Sequence, residues 1–297
     1  MNKEWSEKNK QIQILLGKET TYKDGIELLI EFRKEMFEQI SQIVHGYPAE
    51  AFYQMPFLNV KGYHSKTLSY SIWHIYRIED IVAHTLIARD EQILVTGDYQ
   101  KKICSPLITT GNELQGQDIA EFSKKLNIKA LYEYAEEVML STNSFLSKLK
   151  YSDMKISYSD VDKERLIASC CVSPDENSSW LIDYWCDKDI YGLIKMPFSR
   201  HWIMHVEAMQ RIKNKLCTSA RKGVNPIAYC GFSCNHCFLG EWCGSCRTEY
   251  NTCSFATLYE DKTCPNMVCC IDGCYECSKL EDCTKGFYIP NNDGAAS

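Results

Sequence analysis

Twelve of the chain's 17 cysteines fall between Cys230 and Cys283, among residues that include few Leu, Ile or Val. A segment of about 60 residues with so little aliphatic surface cannot bury a core large enough to fold unaided. It needs staples, either disulfides or metal ions. The other five cysteines, Cys104, Cys170, Cys171, Cys186 and Cys217, are scattered over the first 223 residues and read as ordinary buried thiols, with adjacent Cys170 and Cys171 a candidate redox pair. The composition changes at Gly223–Pro226, so the expected division is a domain over 1–222 and a cysteine-rich domain over 223–297. Overall, 45% hydrophobic and 24% charged residues exclude a disordered or fibrous chain.

Compartment decides which staple applies. The N-terminus, MNKEWSEKNKQIQILLGKET, lacks the apolar core and cleavage site of a signal peptide. No window approaches the ~20 apolar residues of a membrane span. These features predict a cytoplasmic protein with no membrane partner. Thiols are kept reduced there, so clustered cysteines bind metal or do redox work rather than form disulfides. From Asn225 onward there are four basic and nine acidic residues, and the whole chain carries a net charge of −6. With no basic footprint, nucleic acid is not an expected partner.

The first 222 residues read as mainly α. Apolar residues recur at three- and four-residue steps over 20–45, 67–95, 128–150 and 197–216, each long enough for a helix of several turns. Ser199 is the expected N-cap of the last. A short helix is expected over 118–126 and others around Pro174. Four long amphipathic helices joined by long connections suggest a four-helix bundle with helical insertions, the connections folding over one end to build a pocket.

His201 and His205 stand four residues apart in the fourth helix, which puts both imidazoles on one face, one turn apart. His74 lies in the second helix, within SIWHIYRIED, on an otherwise apolar stretch. If the second and fourth helices face each other, the three imidazoles hold one divalent metal and leave an open position, the pattern of catalytic zinc. Nickel and iron also accept imidazole. His45, His64 and His84 fit this geometry less well and read as non-ligands. Glu79 and Asp80 read as solvated helix charges, or as acceptors that orient an imidazole. Arg200 and Glu207, near the histidine pair, are open to a substrate or a helix cap.

SIWHIYRIED and PFSRHWIMHVEAM resemble the DinB/YfiT-like superfamily of four-helix-bundle proteins over residues 20–217. The resemblance implies a divalent metal, zinc or nickel, on His74, His201 and His205. It further implies thiol-dependent transfer, isomerisation or hydrolysis, with a small thiol or electrophile as substrate, and a homodimer as the possible assembly.

The tail contains three C-x2-C pairs: Cys234 with Cys237, Cys243 with Cys246, and Cys274 with Cys277. Each can hold two corners of a tetrahedral site. Cys230, Cys253, Cys264, Cys269, Cys270 and Cys283 can supply the rest, and His236 can substitute for one. Zinc is the expected metal, with an Fe–S cluster the alternative. Cys230, Cys234 and Cys237 also have the C-x3-C-x2-C spacing of radical-SAM enzymes, but too little chain follows to build the βα barrel such an enzyme needs. The block from Tyr229 resembles a bacterial and archaeal cysteine-rich family of unassigned function, domain-of-unknown-function family 3795, over residues 226–285. That resemblance implies metal binding and no particular reaction.

Two functions are therefore open. One is a metal-dependent transferase or hydrolase centred on the three histidines. The other is a non-catalytic metal- or redox-sensing protein that works through its cysteine-rich module.

Overall fold

The computed structural model describes residues 2–44, 47–58, 60, 62, 64–228, 233, 245, 247 and 248. The chain divides into two compact units, Met1–Ile43 with Phe52–Gln210, and Val44–Ala51 with Arg211–Ser297. The described residues are mainly helical, as expected, and their β pairings are two isolated bridges, Ser157 with Asp189 and Ile227 with Ser233. In chain order the α-helices are α1 (Lys3–Leu16), α2 (Tyr22–Val44), α3 (Leu68–Asp80), α4 (Ile93–Thr96), α5 (Tyr99–Ile103), α6 (Gln117–Lys125), α7 (Ile128–Leu146), α8 (Asp160–Ala168), α9 (Glu176–Cys186), α10 (Ile190–Lys195) and α11 (His201–Ala220). Two π-helical segments extend them: Ile81–Ala88 continues α3, and Met196–Arg200 leads into α11.

The periodicity behind the long helices is realised in the packing. In α2, Ile26, Leu29, Phe32, Met36, Ile40 and Ile43 are buried, a stripe at steps of three and four. In α7 the buried set Leu131, Tyr134, Ala135, Val138 and Thr142 follows the same rule. All thirteen residues of α3 are buried, so α3 has no solvated face and lies inside the core. Its polar side chains must then find partners within the protein. Ser69 donates to the Phe52 carbonyl and Ser71 to that of Thr67. Thr67 caps the helix, its hydroxyl accepting from the Tyr70 N–H at 3.0 Å.

The charged residues of α3 correct the expectation of solvated charges. Glu79 is fully buried, and the Arg33 guanidinium of α2 meets it with two N–H groups at 2.5 and 2.9 Å. Arg33 also donates to Asn143 of α7 at 2.7 Å and to the Phe198 carbonyl at 3.1 Å. The Trp202 indole N–H of α11 donates to the same Glu79 carboxylate at 2.9 Å. One ion pair thus ties α2, α3, α7 and the start of α11. Asp80 accepts from Arg77 at 3.1 Å, from the Tyr134 hydroxyl at 2.8 Å, and from the backbone N–H groups of Ile93 and Leu94 at 2.8 and 3.0 Å. Neither carboxylate contacts an imidazole among the described residues.

Asp80 also explains why the second long helix ends earlier than its periodicity suggests. The helix stops at Ala88, and Arg89 takes a left-handed φ of 57°. The chain turns back so that Asp80 satisfies the exposed N–H groups of α4, and Gly97 closes α4. At the fourth helix, Ser199 is not an N-cap. It lies within the π segment that holds Pro197, and its hydroxyl donates back to the Ile194 and Lys195 carbonyls. Helix α1 has no counterpart among the expected elements. It buries Trp5, Asn9, Ile12 and Leu16.

In the second unit, the Tyr47 hydroxyl lies 3.1 Å from Cys217 Sγ. Arg247 Nε donates to the Ile227 carbonyl at 2.5 Å. Ser245, between Cys243 and Cys246, has a φ of 77°, the left-handed conformation used in tight turns. The expected metal ligands of the tail all lie outside the described residues. These are Cys230, Cys234, Cys237, Cys243, Cys246, Cys253, Cys264, Cys269, Cys270, Cys274, Cys277 and Cys283, together with His236. Among the described residues, the group that could hold a metal ion is His74, His201 and His205, and the cysteine ligands stay an expectation of the sequence.

The buried ion pair makes a direct prediction. Arg33→Ala, which strands the Glu79 carboxylate in the core, lowers unfolding free energy by about 3–5 kcal/mol. The double variant Arg33→Met/Glu79→Met recovers most of the loss. Urea unfolding followed by circular dichroism reads both values.

Candidate metal centre

α3 places His74 in its second turn, and α11 places His201 and His205 in its first two turns. The three rings converge: centroid separations are 5.1 Å for His74–His201, 4.9 Å for His74–His205 and 4.5 Å for His201–His205. One nitrogen from each can be chosen so that all three lie within 4.8 Å of one another, and all three residues are buried. A tetrahedral ion with bonds of about 2.0–2.1 Å needs donors roughly 3.3 Å apart, a difference that modest ring rotations absorb. His201 Nδ1 is buried without a hydrogen-bond partner among the described residues, a costly arrangement unless something fills that role. The donor set fits a divalent ion that prefers imidazole.

The protonation states suit the same purpose. Burial pushes His74 down to about 4, outweighing the opposing effect of the Thr110 carbonyl, and Lys66 lowers it further. Burial also holds His201 and His205 well below the ordinary imidazole range, with repulsion from their neighbouring histidines adding to it. Neutral rings keep their lone pairs, so protons do not compete for the metal near neutral pH. For His74 the tautomer is fixed. Its Nδ1 lies 2.8 Å from the Thr110 carbonyl oxygen, which can only accept, so the proton sits on Nδ1 and Nε2 is left as the donor atom.

The Thr110 contact belongs to a longer array. Arg77 Nε donates to the Ile108 carbonyl at 2.7 Å, Trp73 Nε1 to that of Thr109 at 3.2 Å, and the Tyr70 hydroxyl to that of Gly111 at 2.9 Å. Four successive carbonyls, 108 to 111, are read by residues 70, 73, 74 and 77, which form one face of α3. Tyr70 also stacks on His74, with centroids 5.4 Å apart and planes 14° apart. Gly111 has a φ of 77°, and a Cβ there would come within 3.1 Å of the Tyr70 ring. Residues 108–111 have no periodicity that marks them in sequence; only the glycine hints at a constrained turn.

The remaining candidates are placed as follows. His84 is held through both ring nitrogens, Nδ1 by Asp90 at 2.6 Å and Nε2 by the Ser141 hydroxyl at 3.2 Å. His64 packs on Phe57, and His45 lies outside the described residues. Arg200 is exposed, while Glu207 accepts from the backbone N–H of Asn2. Of the five dispersed cysteines, Cys171, Cys186 and Cys217 are buried, but Cys104 and Cys170 are exposed, contrary to expectation. A cavity of about 590 Å³ is lined by Arg77, Gln92, Arg165 and Cys171, among others, and the three histidines do not border it. No described helix is long and apolar enough to cross a membrane.

No family model, curated protein or solved structure matches the chain.

The support of His74 by Thr110 is open to direct test. Gly111→Ala displaces the Thr110 carbonyl from His74, so metal affinity falls about 10–100-fold while helical circular dichroism is retained. Competition with a chelator measures the change. A second prediction concerns pH. The His74 value in the folded state is about 4 against 6.5 for free imidazole, so as pH falls the unfolded chain takes up the proton first. The metal-free protein therefore has its full stability above pH 6.5 and loses it as pH falls toward 4. Between pH 6.5 and 5, thermal midpoints drop more steeply for wild type than for His74→Leu; equal slopes would contradict the assignment.

Proposed function

We propose that the chain is a metal-dependent transferase or hydrolase of the DinB/YfiT type, acting on a small thiol or electrophile at His74, His201 and His205. The observation that carries this reading is the meeting of three buried, neutral imidazoles from two helices, with no carboxylate in the group. Three protein ligands suit a zinc or nickel ion with an exchangeable fourth position. Such an ion supplies Lewis acidity, making a bound thiol or water nucleophilic near neutral pH, or polarising a carbonyl.

The protein's own part is positional. Thr110 and Tyr70 fix the His74 ring. Arg33, Glu79 and Trp202 anchor the start of α11 and so the His201/His205 pair. The buried surroundings of α3 limit water around the imidazoles, which strengthens electrostatic interactions there. The cysteine-rich segment, with its three C-x2-C pairs, acts in this reading as a separate zinc-stapled module.

The density of thiols in that segment favours a second reading, in which the protein senses metal or oxidation and turns nothing over. Elemental analysis of purified wild type and His201→Ala, together with assays of thiol-reactive electrophiles, tests both. The enzyme reading expects His201→Ala to lose one metal equivalent and all turnover while its tail metal stays in place. Unchanged metal content in the variant would refute the histidine centre. Turnover absent from the fully loaded protein, with metal released by mild peroxide, would favour sensing.

A further inference from the structure

Lys66 is in an unusual position for a lysine. It immediately precedes Thr67, the N-cap of α3, where the positive end of the helix dipole repels a cation. It is half-buried, and burial lowers the pKa of its ammonium. Among the described residues no carboxylate lies within ion-pair distance of it. Its Nζ lies over the Tyr70 ring, 4.7 Å from the centroid. Glu113, whose negative charge reaches the Tyr70 ring, accepts from the Thr109 hydroxyl and from Ser178 at 3.3 Å and forms no direct ion pair with Lys66.

This cation stands one aromatic ring from the metal centre. Residues 66, 70 and 74 follow at four-residue steps, and Tyr70 has the ammonium over its ring and stacks on His74. A divalent ion on three neutral imidazoles keeps its full charge, and Lys66 adds another that no carboxylate among the described residues pairs with directly. Such an excess of positive charge in a partly desolvated site is stabilised by a ligand that brings negative charge with it.

We propose that Lys66 selects the ligand of the three-histidine centre, favouring a small molecule with a second negative group beyond the one that binds the metal. This rests on the metal-centre reading above and narrows its substrate class to dianions, such as a thiol or carboxylate that carries another carboxylate. Lys66 acts here as a specificity determinant and binds no metal.

The test uses the full-length protein loaded with cobalt(II), whose visible absorption reports ligands entering the coordination sphere. The spectrum of the histidine centre is obtained as the difference between wild type and His201→Ala. Acetate, malonate and succinate are then titrated separately. Wild type is expected to bind at least one of the dicarboxylates about tenfold or more tightly than acetate, as a charge-assisted hydrogen bond would provide. Lys66→Met loses that preference while its acetate affinity stays within about twofold, and Lys66→Arg keeps it. A dicarboxylate preference that survives in Lys66→Met overturns the proposal, as does a wild-type centre that answers to none of the three anions. If wild type and His201→Ala give the same cobalt spectrum, the metal-centre reading fails and the proposal falls with it. These failures are distinguishable because the first two leave cobalt on the histidines.

Discussion

The first unit is organised around a buried charge that cannot be left alone. Glu79 sits in the middle of the core, where an unpaired carboxylate is untenable, and the Arg33 guanidinium neutralises it. Because guanidinium is a planar fork with several donors, the same group also reaches Asn143 and the Phe198 carbonyl. Trp202 takes up further acceptor capacity of Glu79, and the Arg33 guanidinium stacks 4.6 Å from the Trp202 ring centroid. The consequence for function is direct. Trp202 lies between His201 and His205 in sequence, so the interaction that locks the helices together also sets the rotation and height of the helix that presents two of the three imidazoles.

The π-helical turn at Met196–Arg200 is part of this arrangement. Pro197 brings no N–H, and the wider turn leaves the Phe198 carbonyl available to Arg33. π-turns recur at functional sites because they re-aim the residues that follow. Here the next residue is His201. On the opposite side of the centre, residues 108–111 orient His74 through Thr110 and support it through Tyr70. The three imidazoles are thus held from both sides by residues outside the histidine group.

Much of this is legible in the residues. The helical periods of α2, α7 and α11 predict their existence and their buried faces, and the H-x3-H spacing with His74 anticipates the convergence of the three rings. What the sequence conceals is long-range pairing. Glu79 and Asp80 follow one another in a helix and look like ordinary surface charges; only the burial of α3 on every side reveals that each needs a guanidinium. The early end of the second helix depends on Asp80 capping a segment thirteen residues away, which no local pattern encodes. Thr110 acts through its backbone carbonyl, so its side-chain identity carries no signal. Helix α1 is a different kind of miss: the buried spacing of Trp5, Asn9, Ile12 and Leu16 is present in the sequence but diluted by a polar composition.

The two parts of the chain follow different physical strategies. One buries enough apolar surface to hold charged groups in its interior and to keep three histidines neutral. The other is rich in thiols and poor in aliphatic side chains. The central claim is that the first part, whose composition is unremarkable, carries the chemistry. The most direct measurement is anomalous diffraction from crystals of the full-length protein at the metal's absorption edge. The account predicts a peak about 2.0–2.1 Å from one nitrogen of each of His74, His201 and His205. Strong peaks among the tail cysteines, with none between the three imidazoles, would contradict it.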